Sequence, residues 1–309
     1  MKIAFFEVRA EEKVFFKNAL DGHELYFYEE TINDVVQDTM PFEVVSVFVH
    51  SRIDDNILQK LPNLHYLQTR STGFDHIKCK TLYDRKILVS NVSGYAGPPV
   101  GEFAFSLLLN AIRKTHIALQ RSKAGEFYYQ DLLGSELFGK KVTILGLGVI
   151  GERMVRIASG FGMEVCVFSR TKKPIVDELG ICFSTNLNDV LPGCDVLMIA
   201  LPLTPATREL INTKNVKMLG KETIIVNVAR AEILEESLYE TLPNTICTDV
   251  LTNVKNARRE NILYTPHMAY YTKEALERIR EISLKNILAF LLHKPLPNCL
   301  KIVCEKEYS

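Results

Sequence analysis

GKKVTILGLGVIGERMVRIASGFGMEVCVFSRTKK, residues 139–173, holds an apolar run, Val142 to Leu145, that feeds directly into Gly146-Leu147-Gly148-Val149-Ile150-Gly151. Met154, Val155, Ile157, Ala158 and Phe161 then recur at helical spacing, and a second apolar run, Val165 to Phe168, follows. The pattern predicts strand, glycine turn, helix and parallel strand. Gly146 suits the tight turn, Gly148 lets backbone approach a pyrophosphate, and Gly151 lets the helix lie close on the sheet. Val149 and Ile150 open a helix whose unpaired N–H groups and positive dipole end face the phosphates. A glycine turn alone also occurs in α/β units that bind nothing, but the flanking strands and helix select dinucleotide binding.

The end of the second strand carries Ser169, then Arg170, Thr171, Lys172 and Lys173. An NAD site places a carboxylate here to hold the ribose 2′-hydroxyl. Without one, nothing repels a 2′-phosphate, and Ser169, Arg170 and Thr171 offer it charge-assisted bonds. The expected cofactor is NADP(H) in preference to NAD(H); the competing reading is a solvated basic turn.

Composition narrows the partners. The 309 residues suggest two domains and ample core. Lys plus Arg equals Asp plus Glu at 37 each, so no net field favours nucleic acid or an anionic membrane. Seven scattered cysteines without C-x-x-C spacing read as reduced core residues of a cytoplasmic protein, and argue against a metal site or disulfide framework. MKIAFFEVRAEE is broken by Glu7 and Arg9 and does not read as a signal peptide, and no apolar run approaches a membrane span.

Around the central motif, β-like runs at residues 2–8, 44–50 and 65–69 alternate with helical segments near 13–20 and 57–61, predicting a small parallel sheet. Ligands of such sheets gather at the carboxyl ends of strands, which nominates His50, Ser51 and the Ser71-Thr72-Gly73 turn. GYAGPP, residues 94–99, punctuates the chain before a long helix, Val100 to Arg121, and reads as an interdomain hinge. Further strands are expected at 196–201, 223–228, 245–249 and 262–265, then a last helix, 273–292. The fold class is α/β, two Rossmann-like doubly wound parallel-sheet domains with a cleft between them. Residues 1–97, completed by 275–309, form a substrate domain; residues 98–274 form the dinucleotide-binding domain.

Arg230 and His267 each follow a strand of the dinucleotide sheet and so fall on its ligand-bearing edge. Arg can grip a carboxylate bidentately and His exchanges a proton near neutral pH. Taken singly, Arg230 is equally a solvent-facing residue at a helix start, and His267 a satisfied turn histidine. Together they suit proton-coupled hydride transfer to a 2-oxo acid.

RSTGFDHI (70–77), NVSGYAGPPVGEFAFSLLL (91–109), GLGVIG, LPLTPATRELIN (201–212), VNVARAEILEE (226–236) and TPHMAYYT (265–272), in this order, resemble the D-isomer-specific 2-hydroxyacid dehydrogenases. The resemblance implies that backbone N–H groups of Thr72 and Gly73 bind the substrate carboxylate, Arg230 orients it and polarises the carbonyl, and His267 is the acid/base. It puts Pro202, Thr207, Val228 and Asp249 along the cofactor and Tyr95 and Tyr270 near the substrate; with His50, at its strand end, these two tyrosines set the size of the pocket. It implies a homodimer through the helix from Val100.

The chain departs from this family at Val254, where members carry a glutamate that pairs with the histidine and raises its pKa. Asp249 or Asn253 is the available substitute. Without an anionic partner, reduction is expected to be slow and to fall away above mildly acidic pH. The expected activity is reduction of small 2-oxo acids of the glyoxylate, hydroxypyruvate and pyruvate class. The alternative is a dinucleotide-sensing binding protein of the same superfamily, like its corepressors, with weak turnover.

Overall fold

The computed structural model describes residues 1–300 except Lys78, Cys79, Thr252, Val254, Asn256 and Ala257. The reading of Val254 therefore lies outside the described residues. The chain divides into two compact units: Met1–Tyr95 with the segment from Thr272, called here the terminal unit, and Ala96–Tyr271, the central unit.

The terminal unit runs β1 (Lys2–Phe5), α1 (Ala10–Ala19), β2 (Glu24–Phe27), α2 (Ile32–Val35), β3 (Val44–Val47), α3 (Asp55–Gln59), β4 (Tyr66–Thr69), α4 (Lys80–Asp84) and β5 (Leu88–Ser90). Its sheet has the order β2-β1-β3-β4-β5, with every pair parallel. Strands β3 and β4 are buried along their lengths, and β1 from Ile3 onward, because both faces are covered. Ala4, Val45 and Leu67 pack on one side with Ile57 and Leu58, while Ile3, Phe5, Val44 and Tyr66 pack on the other with Phe16.

The central unit comprises α5 (Gly97–Arg113), α6 (Thr115–Lys123), β6 (Lys141–Leu145), α7 (Val149–Gly160), β7 (Glu164–Phe168), α8 (Pro174–Glu178), β8 (Cys182–Ser184), α9 (Leu187–Val190), β9 (Val196–Ile199), β10 (Ile224–Asn227), α10 (Glu236–Thr241), β11 (Ile246–Thr248) and β12 (Ile262–Tyr264). Its strand order is β12-β11-β10-β9-β6-β7-β8, again all parallel. Seven parallel strands put every carboxyl end on one edge, and the order reverses at β6, the position where such sheets bind ligands. The chain then returns to the terminal unit as α11 (Lys273–Leu291), whose Ile287 joins the Phe5–Tyr66 side of that core. Gln68 of β4 donates to the Ser283 carbonyl at 3.0 Å, and Asn286 to that of Asn91 at 2.9 Å.

Two expectations are corrected. The long helix expected over 100–121 starts at Gly97 and stops at Arg113, because Lys114 is left-handed at φ 50° and ψ 32°; α6 begins after it. Pro98 and Pro99 lie in the first turn of α5, where a missing N–H leaves no bond unmade. Gly97 and Gly101 let α5 approach α7 closely: an added Cβ would sit 2.7 Å from the Val149 side chain and 2.7 Å from that of Arg153.

The cysteines were expected to be reduced. Cys166 of β7 and Cys182 of β8 are instead joined as a disulfide, since the two strands pair with these residues in register. Cys194 and Cys247 are free and buried, as expected of core thiols, and burial pushes the Cys247 thiol up to about 12.

Candidate functional site

The carboxyl-end edge of the central sheet collects most of the singled-out residues. After β6, Gly146 is left-handed at φ 100°, and an added Cβ would lie 2.8 Å from the Ala200 carbonyl oxygen. At Gly151 a Cβ would meet the Gly146 carbonyl oxygen at 1.8 Å, so the first turn of α7 lies directly on the strand end. Gly148 is different. It is the exposed N-cap of α7, and a Cβ there would meet nothing within 4 Å. Helix N–H groups therefore open onto free space beside a residue without a side chain, a cradle that fits a diphosphate. Val149 is exposed and Ile150 partly so.

After β7, Ser169 is half-buried and its N–H donates to Ser184 O at 3.3 Å, while Arg170 and Thr171 are exposed. The two lysines that follow are engaged: Lys172 with Asp177, and Lys173 at 3.7 Å from Glu152. Beyond β9, Pro202 is exposed, and Thr207 closes its loop by donating to Pro202 O at 2.6 Å and accepting Thr204 N–H at 2.8 Å.

Beyond β10, Val228 is buried and Arg230 half-buried. The turn is shaped from below by Asn227, fully buried, whose side-chain nitrogen donates to Arg230 O at 2.8 Å and whose oxygen accepts Ala229 N–H at 3.0 Å. Arg230 Nη1 in turn donates to Ala229 O at 2.9 Å. Asn227 was not singled out from the sequence. A polar residue ending an otherwise apolar buried strand was the available signal.

Asp249, one residue past β11 and 1% exposed, accepts the Thr265 hydroxyl at 2.6 Å and the backbone N–H groups of Met268 at 2.9 Å and Ala269 at 2.8 Å. Both carboxylate oxygens thus bind the loop that carries His267. That loop is tight: His267 has φ 54°, and its N–H reaches back to Thr265 O at 2.9 Å. The exposed imidazole stands edge-on to Tyr270, with ring centroids 6.4 Å apart. Since β10, β11 and β12 are neighbours, Arg230, Asp249 and His267 follow three consecutive strands on the same edge.

In the terminal unit, the Ser71-Thr72-Gly73 turn is braced by Ser71 Oγ donating to Gly73 O at 2.6 Å, Thr72 Oγ1 to Val92 O at 3.0 Å and Asn91 to Thr72 O at 2.8 Å. Among the described residues, the N–H groups of Thr72 and Gly73 make no hydrogen bond. His50 is exposed in the loop after β3; Tyr95 is buried, its carbonyl accepting from Arg278 at 3.3 Å. Among the described residues, no group of three or more His, Cys, Asp or Glu is placed to hold a metal, and no helix is long and apolar enough to cross a membrane.

A parallel sheet with an open glycine turn at its switch point defines a dinucleotide-binding α/β domain. The family model for the D-isomer specific 2-hydroxyacid dehydrogenase, NAD binding domain, matches residues 105–269, and the chain belongs to this family. A 2-hydroxyacid dehydrogenase homolog of Schizosaccharomyces pombe is 30% identical over 323 residues, spanning 94% of this chain and 96% of that one. A glyoxylate reductase of Aeropyrum pernix is 32% identical over 266 residues, 80% of this chain and 79% of its own. Among solved structures, D-lactate dehydrogenase from Aquifex aeolicus, complexed with NAD and lactic acid, matches with a TM-score of 0.87 at 26% identity, covering 98% of this chain and all of the other. The cofactor class is accordingly a nicotinamide dinucleotide.

Proposed function

We propose that this chain reduces small 2-oxo acids of the glyoxylate, hydroxypyruvate and pyruvate class to D-2-hydroxy acids, with NADPH preferred over NADH. The observation that carries this reading is the commitment of two buried polar side chains, Asn227 and Asp249, to the turns bearing Arg230 and His267. Such bracing serves a guanidinium and an imidazole that must be held in fixed positions.

In this reading the central unit is the cofactor domain and the terminal unit the substrate domain. Gly146, Gly148, Val149, Ile150 and Gly151 hold the diphosphate; Ser169, Arg170 and Thr171 take the 2′-phosphate; Pro202, Thr207, Val228 and Asp249 line the remainder. When bound, the reduced nicotinamide supplies the hydride. Thr72 and Gly73 bind the substrate carboxylate through their N–H groups, and Arg230 orients it and polarises the carbonyl. His267 donates the proton to the carbonyl oxygen. His50, Tyr95 and Tyr270 bound the substrate side.

Two finer readings go with it. The exposed Phe127, Tyr129, Leu133 and Phe138, each more than 70% accessible on one short segment of the central unit, support association with a second copy as a homodimer. We place the protein in the cytoplasm; the redox state of Cys166 and Cys182 in cells tests this, because cytosolic disulfides are uncommon.

The experiment is a spectrophotometric panel of glyoxylate, hydroxypyruvate, pyruvate and phenylpyruvate with NADPH or NADH. Turnover with NADPH favoured supports the proposal. Tight dinucleotide binding with no oxidation on any oxo acid assigns the chain to dinucleotide sensing instead.

A further inference from the structure

Glu7, the second residue after β1, has a left-handed backbone at φ 55°, a conformation that residues with a Cβ adopt at a cost. Its side chain reaches across to the loop after β3. One carboxylate oxygen accepts the N–H groups of Phe48 at 3.1 Å and Ser51 at 3.0 Å, and the other accepts that of His50 at 3.0 Å. Its backbone is fixed as well: the N–H donates to Glu30 O at 3.0 Å, and the carbonyl accepts from Arg70 Nη2 at 2.8 Å.

Arg70 extends the arrangement. Its side chain is 1% exposed and also donates to Phe6 O at 2.8 Å and to Ser46 O and Oγ at 3.2 Å each. It immediately precedes the Ser71-Thr72-Gly73 turn. Glu7 and Arg70 thus connect the ends of β1, β3 and β4, three neighbouring strands.

The order β2-β1-β3-β4-β5 reverses between β1 and β3, so Glu7 stands at the switch point of the terminal sheet, where an open sheet of this kind ordinarily takes its ligand. Three converging backbone N–H groups make an anion nest, and here the anion is the protein's own carboxylate. The loop is pinned on its other side too: Ser51 Oγ accepts Ile32 N–H at 3.0 Å, and Asn33 Oδ1 accepts Arg52 N–H at 2.7 Å. Between these anchors His50 remains exposed.

We propose that Glu7 is a positioning residue for the 2-oxo acid. Its carboxylate sets the loop carrying His50, and Arg70, bonded to the Glu7 carbonyl and to Ser46 of β3, ties Glu7 to the strand end that leads into the Thr72-Gly73 turn. This rests on the activity proposed above. A carboxylate accepts all three N–H groups, whereas an amide keeps one oxygen and turns an NH₂ group toward the remaining donors.

The test uses the full chain carrying Glu7→Gln, assayed with NADPH and the best oxo acid of the panel. The KM for the oxo acid is expected to rise about 10-fold or more, with the KM for NADPH within about twofold and kcat within about threefold. Amide hydrogen exchange of the substrate-free variant should quicken about 10-fold at Phe48, His50 and Ser51 and stay unchanged in β6. An oxo-acid KM within twofold of wild type overturns the proposal, as does unchanged exchange at those three amides. His50→Ala, a change at an exposed side chain, supplies an arm independent of Glu7→Gln folding: an unchanged oxo-acid KM there also overturns it. Absence of wild-type turnover overturns the proposed activity and this inference with it. Wild-type turnover with unaltered variant KM removes the inference alone.

Discussion

Asp249 accepts the backbone N–H of Ala269 at 2.8 Å, two residues beyond His267, and so fixes the turn from which the imidazole projects. Asp249→Asn preserves shape but sets an NH₂ group against N–H donors within a site 1% exposed to solvent. Stability should fall by about 1–3 kcal/mol, measured by urea unfolding, because buried donors lose their acceptor. The kcat for oxo-acid reduction should fall about 10-fold or more as the imidazole loses its fixed position. A variant with wild-type kcat would show that the bracing does not serve catalysis.

His267→Ala should lower kcat by about 10²–10⁴-fold while leaving NADPH binding intact in a fluorescence titration. Arg230→Lys keeps the charge but loses the planar fork that matches a carboxylate. Its signature is a raised KM for the oxo acid with little change in NADPH affinity.

Gly148 and Gly151 separate cofactor binding from folding. A Cβ on Gly148 meets nothing, and its φ of −77° suits any residue, so Gly148→Ala should melt with wild-type Tm yet bind NADPH more weakly. A Cβ on Gly151 collides with the Gly146 carbonyl at 1.8 Å, so Gly151→Ala should lose both Tm and binding. Equal melting temperatures for the two variants would contradict this.

Arg170 is the exposed cation after β7, whereas Lys172 and Lys173 are already engaged with carboxylates. Arg170→Ala should weaken NADPH binding about 10-fold and leave NADH binding within about twofold, measured by titration of each cofactor. Equal losses for both would assign Arg170 to the shared part of the dinucleotide.

Arg121 grips Asp131 with two 2.7 Å bonds, which hold the Asp131 carboxyl at about 2. A carboxyl depressed on folding stabilises the folded state above its unfolded value of about 3.9, and that contribution is lost as pH falls through the folded value. Side-chain NMR should show Asp131 titrating near 2, and Arg121→Gln should move the midpoint up toward the ordinary range.

The sequence was most readable where burial is symmetrical. Strands β1, β3, β6, β9 and β10 are largely apolar because helices cover both faces of each sheet, and these and β4 were anticipated, although the expected runs at 2–8 and 44–50 extend three residues beyond the ends of β1 and β3. The edge strands β2, β5 and β8 were not, since their short, partly exposed segments lack that pattern. The Cys166–Cys182 pairing was hidden for the same reason: two cysteines sixteen residues apart become neighbours only once β8 is known to pair with β7.

At the candidate site, strand order alone put Arg230 and His267 on one edge, so residue types and positions were legible there. Their supports were less so. Asn227 and Asp249 act through backbone atoms of distant turns, a relation that depends on which strands are adjacent. Likewise nothing in FFEV announces that Glu7 turns left-handed, and Arg113-Lys114-Thr115 contains no glycine or proline to mark the break after α5.

The covering of β1 and β4 by α11 bears on how the protein is made. Ile3, Phe5 and Tyr66 leave the ribosome early, but Ile287 and the flanking leucines that shield them follow only after the whole central unit. At about 5–20 residues per second, one apolar face of the nascent sheet waits on the order of ten seconds or more for its cover. The inserted Ala96–Tyr271 unit is compact in its own right and can fold during that interval, so the N-terminal sheet is the segment most in need of chaperone protection.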